Sequence, residues 1–142
     1  MNLKKDKLLN AFNTLEEENL TLCLFNGSMY YKSIERGVKP LIELINSKVD
    51  YSNFVSVDKV IGKAAAFLYL KLNIKDIYCY IISEPALKVL NGNKVNVIYQ
   101  EKVPFIRNRR NDGYCSMESL VLSVDSVEEA YNLLVNKINE GV

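Results

Sequence analysis

The stretch VSVDKVIGKAAAFLYL, residues 55–70, has charged side chains at the front of an otherwise apolar segment. Together with the preceding SNF, the pattern predicts a buried strand that ends at Asp58 and a core helix that begins there, with Asp58 as its N-cap. Lys59 and Lys63 are four residues apart and would share one helix face. Because ammonium groups oppose the positive end of the helix dipole, we expect an anion to compensate them.

This helix start predicts an anion site. Free N–H groups, the dipole and two ammonium groups would favour a phosphate or carboxylate, and Gly62 would let a ligand approach closely. A partly buried Lys63 would have a lowered pKa and could act as a nucleophile or base. In the structural alternative, Lys59 extends to water and Lys63 pairs with a nearby carboxylate. The candidates for that carboxylate are Asp58, Glu84 and Glu118.

Ser83-Glu84-Pro85 forms a second candidate segment, directly after the apolar run DIYCYII. Ser83 is a suitable N-cap, and proline is well tolerated in the first turn of a helix. Glu84 would face the same crevice as Lys63. It is therefore the carboxylate that we consider for acid–base chemistry.

The only dense positive run is RNRR, in which Arg107, Asn108 and Arg109 are candidate ligand-binding residues. Guanidinium groups suit phosphate and carboxylate groups, whereas the structural alternative is a solvated loop. Cys115 ends this loop just before a predicted helix, where arginines and the helix start would lower the thiol pKa. Cys115 is therefore a third candidate for chemistry beside Lys63 and Glu84, unless it is only a small half-buried residue.

Composition excludes several classes of site. The chain has no histidine, which removes the commonest general base and the commonest neutral metal ligand. Its three cysteines are widely spaced and form no Cys-x-x-Cys pair, so we predict no structural metal and no cofactor. A formal net charge of +1 provides no general attraction to nucleic acid or to an acidic membrane.

Hydrophobic periodicity predicts one domain over residues 1–142, of strands alternating with helices. Asn26-Gly27 indicates a hairpin, and Pro40 suits the first turn of a helix. The fold class expected is a three-layer α/β/α sandwich with a mixed sheet of about five strands. The remaining predicted helices are 3–17, 83–92, 116–122 and 126–139, and the later strands are 52–58, 76–82 and 94–100.

Several segments in order resemble a prokaryotic family known as domain of unknown function 1893. They are RGVKPLIELI, VSVDKVIGKAAAFLYL, ISEPAL and VPFIRNRRNDGYCSMES, and the resemblance extends from about Leu20 to Leu122. It implies a cytidine-deaminase-like fold, in which a hairpin is followed by alternating helices and strands. Such a fold agrees with the element order predicted from periodicity.

The resemblance does not extend to zinc chemistry. Zinc deaminases place His-Ala-Glu or Cys-Ala-Glu at one helix start and Pro-Cys-x-x-Cys at the next. The corresponding helix starts here read Gly62-Lys63-Ala64-Ala65 and Ser83-Glu84-Pro85-Ala86. Because neither contains a zinc ligand, we predict no zinc-dependent deamination, and fold alone does not supply a reaction.

Two functions follow from this sequence. The first is a domain that binds an anionic, nucleotide-like small molecule between two helix starts and the arginine loop, whether or not it catalyses a reaction. The second is a non-catalytic accessory or regulatory module that contacts a protein partner through its terminal helices or through exposed apolar surface. No apolar signal core or span of about 20 apolar residues occurs, so we expect a cytoplasmic protein.

Overall fold

The computed structural model describes residues 3–107 and 115–140 as one five-stranded sheet with six helices. The predicted fold class, an α/β fold with a mixed five-stranded sheet, is confirmed. Among the helices of this part of the chain, none combines the length and apolar content needed to cross a bilayer. The helices are α1 (Leu3–Glu17), α2 (Lys39–Asn46), α3 (Lys63–Leu72), α4 (Glu84–Gly92), α5 (Ser116–Val121) and α6 (Val127–Asn139). The strands are β1 (Leu22–Phe25), β2 (Tyr30–Ser33), β3 (Val55–Ile61), β4 (Asp76–Ser83) and β5 (Asn96–Val103).

The sheet has the strand order β2-β1-β3-β4-β5. β1 is antiparallel to both of its neighbours, whereas β3, β4 and β5 are parallel. The predicted hairpin therefore forms the antiparallel portion at one edge. Its turn uses both predicted residues: Gly27 has a φ of +103°, and the Asn26 side chain accepts the N–H groups of Ser28 and Met29.

Two apolar clusters cover the two faces of the sheet. On one face, α1 packs Leu8, Ala11 and Leu15 against the strands. On the other face, the cluster is built mainly from α2, α3, α4 and α6. Helix α3 lies at its centre, with seven side chains that are almost inaccessible to solvent. Those side chains are Ala64, Ala65, Ala66, Phe67, Leu68, Tyr69 and Leu72. Burial all round the helix explains why its sequence is apolar at nearly every position.

The predicted boundary between β3 and α3 is wrong. The strand continues through Asp58 and Lys59 to Ile61, Gly62 is the N-cap, and the helix begins at Lys63. Asp58 lies between Leu22 of β1 and Cys79 of β4 in the sheet register, so neighbouring strands hold it in an extended conformation. The β-branched residues of VSVDKVI also favour a strand over a helix.

Candidate functional site

The carboxyl ends of β3, β4 and β5 meet at one edge of the sheet, where an open pocket of about 430 Å³ lies. We call it the edge pocket. It contains two ammonium and two carboxylate side chains, contributed by the starts and first turns of α3 and α4 and by the segment before α6. The described lining residues are Lys63, Glu84, Pro85, Lys88, Val89, Pro104 and Asp125.

The α3 side of the pocket is organised by a carboxylate from a distant part of the chain. Glu118 of α5 accepts the backbone N–H of Lys63 at 2.6 Å and that of Ala64 at 2.9 Å. Its side chain is only 7% exposed, so these bonds are made in a largely dry environment. An anion does occupy the N-terminus of this helix, and it is part of the protein.

Gly62 is the residue that makes room for this carboxylate. A Cβ atom at position 62 would lie 2.3 Å from both Cδ and Oε1 of Glu118. The backbone there is extended, with φ −100° and ψ −179°, so steric space is the constraint. The close approach predicted at Gly62 is made by a side chain of the same protein.

Lys63 extends into the protein instead of into bulk water. Its side chain is 8% exposed, and Nζ donates a hydrogen bond to the Leu122 carbonyl oxygen at 2.8 Å. Burial raises the pKa of the Glu118 carboxyl overall, against the opposing effects of its hydrogen bonds from the backbone N–H groups of Ala64 and Lys63 and of the Lys63 charge. An ammonium group has three N–H donors, so one hydrogen bond to Leu122 leaves donor capacity on the pocket side.

The α4 side of the pocket follows the sequence prediction closely. The hydroxyl of Ser83 caps the helix by accepting the N–H of Ala86 at 3.2 Å, and Pro85 lies in the first turn. Glu84 is exposed and lines the same pocket as Lys63, so the structure brings these two predicted residues together. Ser83 itself is fully buried, and its hydroxyl serves the helix.

Asp58 and Lys59 lie elsewhere. The Lys59 ammonium sits 4.9 Å from the ring centroid of Tyr80, which belongs to the α1 face of the sheet. The Asp58 carboxylate accepts the Tyr69 hydroxyl at 2.7 Å, and that hydroxyl lies 2.8 Å from the Ser56 hydroxyl. Neither residue is an element of the helix start, which corrects both predictions.

The Asp58 carboxyl is electrostatically unusual. Burial raises its pKa to about 7, against the opposing effect of hydrogen bonds from Tyr69 and from the backbone N–H groups of Val60 and Lys59. Burial and the Asp58 charge likewise raise the pKa of Tyr69 well above its ordinary value. Asp58 is thus a half-buried carboxyl that is hydrogen-bonded to the buried Tyr69 hydroxyl, between β3 and α3.

The predicted arginine loop is only partly described. Arg107 is exposed, and its guanidinium carbon lies 5.1 Å from the ring centroid of Phe105. Asn108 and Arg109 lie outside the described residues, so their predicted role in ligand binding stays a prediction. Cys115 is half-buried and immediately precedes α5, the helix that carries Glu118.

Three residues of the site were missed or given another role. The sequence suggests Glu118 only as an ion-pair partner for the Lys63 side chain, whereas in the structure its carboxylate accepts the backbone N–H groups of Lys63 and Ala64. Lys88 was detectable because it follows Glu84 by four residues and so shares its helix face. Asp125 gave no comparable signal, since only the packing of α5 and α6 on α3 positions the segment between them.

Zinc does not fit these two helix starts. The starts of α3 and α4 carry no cysteine or histidine, and the Lys63 ammonium would repel a cation. Within residues 3–107 and 115–140, no three acidic or cysteine side chains converge to hold a metal ion.

Solvent accessibility distinguishes Cys115 from the other two cysteines, because Cys115 is half-buried whereas Cys23 and Cys79 are buried. Burial raises the pKa of Cys23 to about 11 and that of Cys79 to about 12, and both side chains are inaccessible. We therefore expect a disulfide reagent such as DTNB to modify only Cys115 in the folded protein at pH 8, and all three thiols in urea. Cys115→Ser should abolish the reaction of the folded protein. Equal rates for two or more thiols before unfolding would contradict this assignment.

Comparisons with known proteins agree with this architecture. The family described as "Domain of unknown function (DUF1893)" matches residues 10–138. The crystal structure of a DUF1893 family protein from Thermotoga maritima superimposes with a TM-score of 0.89 at 33% sequence identity. The alignment covers 96% of this chain and 92% of that chain. A comparison with curated proteins gives no match.

Proposed function

The chain belongs to the DUF1893 family, for which no function is assigned. From this premise we propose that it binds a small anionic, nucleotide-like molecule in the edge pocket. The observation that supports the proposal is the pocket of about 430 Å³ at the carboxyl edge of three parallel strands. Its volume lies within the usual range for ligand sites, and this edge is where α/β sheets bind ligands.

The charges of the edge pocket favour a ligand that carries both an anionic group and N–H donors. Lys63 and Lys88 would bind a phosphate or carboxylate, whereas Glu84 and Asp125 would accept hydrogen bonds from an amine or amide. A nucleotide offers both kinds of group. Glu118 already accepts the N–H groups of Lys63 and Ala64 at the start of α3. The anionic group of a ligand would therefore bind to lysine side chains instead of to this helix start.

We further propose that the fold is a cytidine-deaminase-like scaffold. Its support is the order of elements, in which a hairpin is followed by α2, β3, α3, β4, α4 and β5. The two helix starts that hold zinc in deaminases here border the edge pocket, with lysine and glutamate in place of metal ligands. Binding of a polar ligand would then be retained on the scaffold without the metal chemistry.

Lys88 offers the cleanest test of ligand binding, because it is exposed and its removal leaves the capped helix start intact. We expect cytidine monophosphate or ribose 5-phosphate to bind saturably in isothermal titration calorimetry. Lys88→Ala should weaken that binding about fivefold or more, as expected for the loss of one charged contact in a partly exposed site. Lys63→Ala should weaken the binding more than Lys88→Ala does.

Lys75→Ala is the matched control, since it removes one exposed lysine just before β4, at the opposite end of the strand. Its affinity for both probes should equal that of the unmodified protein. If Lys75→Ala weakened binding as much as Lys88→Ala, the loss of one positive charge anywhere on the protein would explain the effect. Absence of saturable binding by either probe and by other phosphorylated nucleosides and sugars would count against the proposed function.

A further inference from the structure

The outer edge of β5 is open. β5 pairs with β4 on one side, and within the described part of the chain no strand pairs with its other side. At eight residues it is twice as long as β2, the strand at the opposite edge. Ile98 and Tyr99 are 47% and 40% exposed. A long strand with free backbone groups and exposed apolar side chains is a template for pairing with another strand.

The two faces of β5 can be assigned from its contacts. Gln100 Nε2 donates a hydrogen bond to the hydroxyl of Tyr78, which packs in the α1 cluster, so Gln100 lies on the α1 face. Ile98 and Lys102 share that face because side chains alternate along a strand. Val97 packs against the cluster of α2, α3, α4 and α6, so Tyr99, Glu101 and Val103 lie on the opposite face with it.

We propose that β5 pairs antiparallel with β5 of a second copy of this chain, about a two-fold axis through Gln100. Such an axis keeps each face of the sheet continuous, so opposing side chains must come from the same face. Centring on Gln100 satisfies this requirement. It places Ile98 opposite the partner's Lys102, Tyr99 opposite the partner's Glu101 and Val97 opposite the partner's Val103.

The register centred on Gln100 matches opposing side chains better than the registers centred on the adjacent residues, Tyr99 and Glu101. The valines meet each other, the Tyr99 hydroxyl can donate to the partner's Glu101, and the stem of the partner's Lys102 can cover Ile98. Centring on Glu101 would place the two Glu101 carboxylates directly opposite each other. Centring on Tyr99 would place Val97 opposite the partner's Glu101. Complementarity of charge and polarity thus favours a second copy as the occupant of this edge.

The pairing would join the two five-stranded sheets into one. It would end at Val103, since Pro104 has no N–H group with which to extend it. None of the described residues that line the edge pocket belongs to β5, so the proposed pairing does not rest on ligand binding. It concerns exposed apolar side chains of β5, and thus the second of the two kinds of surface, terminal helices or exposed apolar surface, that the sequence suggests for a protein partner.

Ile98→Lys tests the register directly. It places an ammonium group opposite the partner's Lys102 at two symmetry-related positions, whereas in a monomer the exposed side chain has little effect. By sedimentation velocity over roughly 1–500 μM protein, we expect the unmodified chain to dimerise and Ile98→Lys to raise the dimer dissociation constant at least about tenfold. Adding Lys102→Glu to Ile98→Lys should restore dimerisation, because opposite charges then face each other.

Ile34→Lys is the control, because Ile34 is 72% exposed and lies next to β2 at the far edge. It should dimerise like the unmodified chain. A monomer throughout the concentration range would leave the β5 edge to a different partner and overturn the proposal. So would a dimer that Ile98→Lys leaves unchanged, or one that the double variant fails to restore.

Discussion

Replacing Gly62 with alanine will lower the free energy of unfolding by about 2–4 kcal/mol, a large share of the stability of an ordinary domain. The new Cβ would lie 2.3 Å from the Glu118 carboxyl group, which must then leave its place. Its departure leaves the N–H groups of Lys63 and Ala64 buried and unpaired. The loss comes mainly from these bonds, because the extended backbone at Gly62 accepts an alanine.

A double-mutant cycle in urea denaturation checks this mechanism. Glu118→Ala should cost a similar amount, since it removes the same two acceptors, and adding Gly62→Ala to it should cost little more. Gly92→Ala is the control, because a Cβ there meets no atom within 4 Å and alanine favours a helix. Additive effects of the Gly62 and Glu118 changes would mean that the glycine serves some other purpose.

Asp58 will make the protein less stable as the pH rises from about 4 to 7. The ordinary pKa of this carboxyl is 3.8, and burial raises it to about 7 in the folded protein. Between these values the unfolded chain has lost its proton while the folded chain retains it, so folding becomes less favourable as pH increases. A shift of this size corresponds to about 4 kcal/mol at most.

Asp58→Asn should remove this dependence, because asparagine stays neutral and can still accept a hydrogen bond. We expect the stability of the variant, relative to the unmodified protein, to increase by about 2–4 kcal/mol between pH 4 and pH 8 in urea denaturation. If the difference in stability between the variant and the unmodified protein did not change with pH, the Asp58 carboxyl would have the same pKa in the folded and unfolded states.

Asp50→Asn provides a control of opposite sign. Hydrogen bonds from Ser52, first through its side chain and then through its backbone, lower the pKa of the exposed Asp50 carboxyl. A lowered pKa stabilises the folded protein above the ordinary pKa, and this contribution is lost as pH falls. Asp50→Asn should therefore slightly lower the relative stability at neutral pH, whereas Asp58→Asn raises it.

The local pattern of the chain was sufficient to predict most elements. α1 has the bounds that its hydrophobic spacing indicated, the hairpin turns at Asn26-Gly27, and Ser83 caps α4. These features depend on residues a few positions apart, whose side chains determine local backbone geometry. Lys63 and Glu84 were also correctly predicted to face the same crevice, because strand carboxyl ends meet at one edge of a parallel sheet.

The tertiary structure decided what fills the start of α3. The segment from Asp58 to Ile61 could have been helix or strand, and pairing with β1 and β4 made it a strand. The anion expected at the helix start is Glu118, 55 residues from Lys63 in sequence. No local pattern specifies such a contact, because it depends on how α5 packs against α3. The sequence by itself indicated that a negative charge would suit the start of the helix that carries Lys63, whereas only the packing of the chain determined that Glu118 supplies it.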